Sequence, residues 1–193
     1  MIGESLAAVA PIVLASRSPQ RRAILTQLGA DFTVVEPGYV EVDPPGASPE
    51  ELVVAHARGK AGSVAGRTVL AVDTTVAIGG RSLAKPADER EAGEMLRLLS
   101  GRAHTVYSGL CLRVGGREEV RLASTDVRFR PLDDEDVAWY VTTGEWRERA
   151  GGYAVQGRGA ALVERIEGDY TNVVGLPVAA LLDAVARAGL PGD

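Results

Sequence analysis

The stretch LASRSPQRR sets Ser16, Arg17, Ser18, Arg21 and Arg22 side by side where an apolar run gives way to a helical pattern. A strand that feeds a helix leaves backbone N–H groups unpaired at the helix N-terminus, with the positive end of the helix dipole behind them. Two serine hydroxyls add donors, and three guanidinium groups add planar forks that match phosphate oxygens. Such a turn can hold a multiply charged anion. The same residues would equally make an N-capped surface helix with solvated arginines, the commoner use of this pattern. The turn is not a G-x-x-x-x-G-K-[ST] phosphate loop.

A second polar break lies in AVDTTVAI, where Asp73 interrupts an apolar strand pattern and Thr74 and Thr75 extend the break. A carboxylate there needs a cation or a donor facing it. Glu41 and Asp43 flank Val42 in a turn-rich segment, and with Asp73 they offer the oxygen donors that a hard divalent cation prefers. Separated by Val42, the two are expected to point to opposite faces, which leaves open which one reaches a metal. Lys60 ends AHARGK and Lys85 precedes Pro86; taken singly, each reads as a solvated surface charge. Gln156, in GGYAVQGRGA, could read a base edge by donating and accepting together, or could close a turn. The glycines around it lack the strand-then-helix order of a nucleotide loop. His104 reads as a hydrogen-bonded structural residue, and His56 has no evident role.

The elements that must carry these residues alternate. PIVLAS is a short strand, and Ser18-Pro19 opens a helix with apolar residues at Ala23, Ile24, Leu25 and Leu28, stopped by Gly29. DFTVVEP is a second strand. Ser48-Pro49 repeats the helix-start signal ahead of LVVAHARGKAGSVA. TVLAVDTTVAIGG reads as a buried strand followed by a second one. KPADEREAGEMLRLLSG feeds an amphipathic helix with Ala92, Met95, Leu96 and Leu99 on one face. HTVYSGLCLRV and EEVRLASTDVRFRPL are expected to pair antiparallel through a short turn. DDEDVAWYVTTGEW is a helix with an acidic first turn, GGYAVQGRGAALVERIEGD holds short strands, and LPVAALLDAVARAGL is a closing helix. The pattern predicts an α/β chain, one mixed sheet elongated into two lobes.

The 193 residues suit a single domain over 1–193, with residues 1–10 expected to be a flexible N-terminal extension. A formal net charge of −5 argues against a general nucleic-acid binder but allows a small anionic ligand at a local basic cluster. The single cysteine, Cys111, excludes an internal disulfide and a cysteine-built zinc site, and its apolar context marks it as a buried strand residue. The first residues lack a basic start, carry Glu4 and are broken by Pro11, so they fit a signal peptide poorly. No apolar run reaches membrane-spanning length, and a cytoplasmic location is expected.

LASRSPQRRAILTQLG, E-V-D, AHARGKA, AVDTTVAI, AKP, MLRLLSGRAHTVYSG and YAVQGRGAALVERIEGDYTNVVGLPVAAL, in that order, resemble the Maf family of nucleoside triphosphate pyrophosphatases. The resemblance runs from about Ile12 to about Leu182. It implies an elongated α/β fold with two lobes around a central cleft, like that of inosine triphosphate pyrophosphatases. It implies a phosphate grip by Ser16, Arg17, Ser18, Arg21 and Arg22, and a general base at Asp73. It assigns Glu41, Lys60 and Lys85 to metal and phosphate binding, with Glu41 and Asp73 on a divalent ion, Mg²⁺ or Mn²⁺. Its members are often homodimers.

Two sub-groups of the family resemble the chain. One prefers dTTP and UTP and carries arginine, threonine and glutamine at the places of Gln20, Thr74 and Gln156; the other prefers 7-methyl-GTP and carries tryptophan, glutamine and glutamate there. Thr74 and Gln156 match the first, and Gln20 matches neither, so the resemblance points to dTTP and UTP. A modified-nucleotide pyrophosphatase is the alternative. A regulator of septum formation that binds nucleotide without turnover is the alternative of another class, and Asp73 speaks against it, because a carboxylate beside a triphosphate repels the ligand unless a metal intervenes.

Overall fold

The computed structural model describes residues 6–188. Strand β1 (Ile12–Ala15) is buried almost throughout, as a strand covered on both faces must be. It pairs in parallel with β2 (Phe32–Val35) on one side and β3 (Thr68–Ile78) on the other. Beyond β3 the sheet turns antiparallel through β5 (Ala103–Val114), β6 (Arg117–Phe129) and β7 (Val163–Glu167), with β4 (Arg81–Leu83) added to the end of β3. The result is a seven-stranded mixed sheet.

The helix-start signals act as their chemistry requires. Ser18 caps α1 (Pro19–Gln27), its Oγ accepting from the Arg21 N–H. Ser48 and Glu51 form a reciprocal capping box at α2 (Pro49–Gly62). Helix α3 (Glu89–Leu99) buries Ala92, Met95, Leu96 and Leu99, and α4 (Asp134–Thr142) starts on an Asp133–Asp136 capping box. Short α5 (Tyr170–Val174) and then α6 (Val178–Ala188) close the fold; the last residues of the expected closing helix lie outside the described residues.

Three expectations change. The break expected within TVLAVDTTVAIGG is absent: β3 runs unbroken through Asp73 because β5 pairs with it from Thr68 to Ala77. Most of GGYAVQGRGAAL forms 3₁₀ turns at Ala150–Gly152 and Arg158–Leu162, and only β7 is a strand there. Gly151 and Gly152 take φ of 69° and 72°, which no extended strand tolerates. Of the expected N-terminal extension, residues 1–5 lie outside the described residues, while Leu6 and Val9 are buried in the core with Ile12, Leu25 and Leu181.

Two large apolar cores lie toward opposite ends of β3. One gathers Leu70 and Val72 with β1, α1 and α6; the other gathers Val76 and Ile78 with α3, α4 and Phe129. Asp73, Thr74 and Thr75 are the half-buried residues between them. Opposite Asp73 stands Gly109, where a Cβ would lie 2.1 Å from the Val53 carbonyl oxygen. That absence of a side chain lets α2 lie directly on the sheet beside Asp73. Cys111 is buried, and desolvation pushes its thiol up to about 12, as suits a core residue. Among the described residues no helix is long and apolar enough to cross a membrane.

His104 is buried in the second core, its Nε2 2.9 Å from the Tyr153 hydroxyl and its ring edge-on to Phe129 and Tyr153. Burial lowers its pKa from 6.5 to about 4. Between those values the unfolded chain binds a proton at this residue and the folded chain does not. His104 therefore removes stability as pH falls from neutrality toward 4, by up to about 3 kcal/mol. Urea unfolding of the wild type and His104→Gln from pH 7 to 4.5 should show a shallower pH dependence in the variant; parallel curves would contradict this.

Candidate active site

Arg21 leaves the first turn of α1 and is held on three sides. Its Nε donates to the Gly175 carbonyl (2.9 Å), Nη1 to Ser16 Oγ (3.1 Å) and Nη2 to Thr74 Oγ1 (3.2 Å). A guanidinium has five N–H groups, so two remain to face an anion, in an orientation fixed by the other three. Burial lowers the Arg21 pKa, and the charges of Asp73 and Glu41 oppose that shift. Ser16 Oγ also accepts from the Ser18 N–H at 3.1 Å, tightening the turn ahead of the helix. Thr74 sits opposite Ser108 in the β3–β5 register, and their hydroxyls share a hydrogen bond of 2.8 Å. Ser108 is fully buried.

One residue along β3, Asp73 meets Lys60 from α2. The Lys60 Nζ lies 2.5 Å from Asp73 Oδ1 and 2.6 Å from Glu41 Oε1. Lys60 and Asp73 are largely buried, at 12% and 15% side-chain exposure, so this pair is enclosed while Glu41 stays half in solvent at 52%. Burial alone would raise the Glu41 pKa, but the hydrogen bond and charge of Lys60, with His56 and Lys85 behind them, hold it below the usual carboxylate range. Asp43 does not join the cluster; its Oδ1 lies 2.8 Å from His56 Nε2. The expectation that Glu41 and Asp43 face apart is thereby corrected. Alternate residues of an extended segment share a side, and both reach α2, four residues apart on that helix.

Two carboxylate oxygens thus converge on one cation. Among the described residues, no group of three or more His, Cys, Asp or Glu side chains gathers to hold a metal. A donor set of two hard oxygens fits Mg²⁺ or Mn²⁺ in its usual protein setting, where one or two carboxylates are completed by phosphate oxygens and water.

The other residues singled out in the sequence stand around this centre. Arg17 pairs with Glu36, and Lys85 Nζ lies 2.8 Å from Glu148 Oε2; all four are exposed. Lys85 also acts on the centre through its charge, lowering the Glu41 pKa, while Arg17 adds to the lowering of Glu148 by Lys85. Glu148 holds a φ of 59°, an uncommon left-handed conformation for a residue with a side chain. Arg22 is exposed on α1. The Gln20 Oε1 accepts from Ser18 Oγ at 3.1 Å, so its side chain folds back on the helix cap. Gln156 is exposed in the turn between the two 3₁₀ segments, and no hydrogen bond described ties it to the Arg21–Asp73 cluster. Sequence reasoning missed Ser108, the Gly175 carbonyl, Glu36 and Glu148. The first two carry no local signal, since only strand register and a 154-residue return of the chain bring them to the site.

The family model described as Maf-like protein matches residues 11–188. A dTTP/UTP pyrophosphatase of Pelotomaculum thermopropionicum is 46% identical over 184 residues, covering 92% of this chain and 96% of its own. Another, from Thermococcus gammatolerans, is 49% identical over 170 residues, covering 86% and 91% respectively. Among solved structures, a HAM1 protein from Coxiella burnetii superposes with a TM-score of 0.50 over 91% of this chain and 98% of that one, at 16% identity, a likeness of fold.

Proposed function

The chain belongs to the Maf family, and from that premise we propose that it hydrolyses dTTP and UTP between the α and β phosphates, releasing the nucleoside monophosphate and pyrophosphate. The observation that carries this reading is the enclosed Asp73 carboxylate, set one residue along β3 from the threonine that orients Arg21. A site that only bound a triphosphate would gain nothing from an anion at its centre. A carboxylate there can take the proton of an attacking water.

The residues divide the work. Arg21 offers its two remaining N–H groups to the pyrophosphate that departs, where negative charge accumulates. Ser16, Ser18 and the N-terminus of α1 supply further donors, and Arg22 adds charge from the same turn. Arg17 and Lys85 grip the outer phosphates. Their present partners are exposed carboxylates, and exposed ion pairs are weak, roughly 0–1 kcal/mol each, so they exchange readily for phosphate. Lys60 holds Asp73 and Glu41 toward one point and places its own charge beside the phosphates. Glu41 and Asp73 would hold a divalent ion, Mg²⁺ or Mn²⁺, which when bound neutralises phosphate charge and makes a water more acidic. Gln20, Thr74 and Gln156 are the residues we assign to base selection, with Thr74 acting at least in part through Arg21.

The test is pyrophosphate release from dTTP, UTP, CTP, GTP and 7-methyl-GTP with Mg²⁺ or Mn²⁺. Turnover concentrated on dTTP and UTP supports the reading. Turnover concentrated on 7-methyl-GTP would replace the substrate, and binding without turnover would replace the enzyme by a nucleotide-binding regulator.

The Thr74–Ser108 pair yields a further expectation. Loss of the contacts behind Arg21, two hydrogen bonds in Thr74→Val and one in Ser108→Ala, should lower kcat/KM about tenfold in the first and less in the second. The double variant should be little worse than Thr74→Val alone, because both act through one contact. Steady-state kinetics of the three variants on dTTP would check this, and full additivity would contradict it.

A further inference from the structure

We propose that His56 is a positioning residue for Glu41, clasping the segment 36–47 onto α2 through Tyr39 and Asp43; this rests on the role given to Glu41 above. Segment 36–47 contains no helix or strand, and most of its residues are exposed, so little apolar burial restrains it. Its ties to α2 are specific. His56 is buried, with Nε2 2.8 Å from Asp43 Oδ1 and Nδ1 3.3 Å from the Tyr39 hydroxyl. Both ring nitrogens thus have a partner, Nε2 the Asp43 carboxylate and Nδ1 the Tyr39 hydroxyl. The Tyr39 ring lies over Gly59, where a Cβ would be 2.2 Å from the Tyr39 Cε2.

Residues 39, 41 and 43 alternate along the segment and all three reach α2: Tyr39 and Asp43 at His56, Glu41 at Lys60. His56 and Lys60 are four residues apart and share a helix face. Fixing the residues on either side of Glu41 therefore aims its carboxylate at Lys60 and Asp73. Without the clasp, Glu41 sits on a loop with many conformations, and a site that works by orientation loses rate when a group strays by an ångström.

Amide hydrogen exchange over residues 38–44 gives a readout independent of turnover. Tyr39→Phe and Asp43→Ala should each speed exchange there several-fold, and Gly59→Ala, whose methyl would take the ring's place, should do the same. On dTTP, Tyr39→Phe should lower kcat/KM several-fold, yet change nothing further in a Glu41→Gln background. Unchanged exchange in all three variants would overturn the clasp. A Tyr39→Phe loss that persists in full beside Glu41→Gln would overturn the positioning role. If the wild type turned over no triphosphate, the nucleotide reading would fail separately and the exchange result alone would decide the clasp.

Discussion

Asp73→Asn is expected to lower kcat on dTTP by about 10³-fold, within the range that a positioned general base contributes. Without a divalent ion, equilibrium affinity for the triphosphate should stay the same or tighten, because one negative charge beside the polyanion is gone. The substitution keeps the shape of the side chain and a carbonyl oxygen that can accept from Lys60, so the β3–α2 contact survives. What it removes is the capacity to take a proton and one negative charge beside a polyanion. A merely structural aspartate would give the opposite signature: reduced thermal stability, weaker binding and only a modest change in kcat. Rates, isothermal titration with dTTP and a melting curve, taken together on the same variant, separate the two.

The second large effect belongs to Arg21. Arg21→Ala is expected to cost about 10²–10³-fold in kcat/KM, the loss typical of deleting a preorganised donor at developing charge. Arg21→Lys should recover little of it. An ammonium keeps the charge but cannot reach Gly175 O, Ser16 Oγ and Thr74 Oγ1 from one rigid plane while presenting two more N–H groups outward. If lysine restored nearly full activity, Arg21 would be acting as a point charge, and the aligned network behind it would have no catalytic purpose. Because Arg21 also bridges α1 to Gly175, a melting curve of each variant should accompany the rates.

Much of this site could be read along the chain because local chemistry dictated it. The N-cap and proline signals at Ser18 and Ser48 start helices since short polar side chains satisfy the orphan N–H groups there. The stripe of Ala92, Met95, Leu96 and Leu99 is buried for the reason that its spacing suggests. Asp73 stood out because a carboxylate in an apolar strand demands a partner, and Lys60 is that partner. The rest depended on distances that sequence does not carry. Ser108 looks like any small residue of a strand until the β3–β5 register sets it opposite Thr74. Tyr39 and His56 gain meaning only when segment 36–47 folds back onto α2. The continuity of β3 through its polar trio was invisible because β5 supplies the hydrogen bonds that local propensity could not.

The central claim is scission between the α and β phosphates. Its most direct test is to incubate the protein with dTTP and a divalent ion and identify the products by anion-exchange chromatography, with Asp73→Asn in parallel. The account predicts dTMP and pyrophosphate in equal amounts from the wild type and almost none from the variant. Appearance of dTDP and orthophosphate instead would place the attack at the γ phosphate and contradict it.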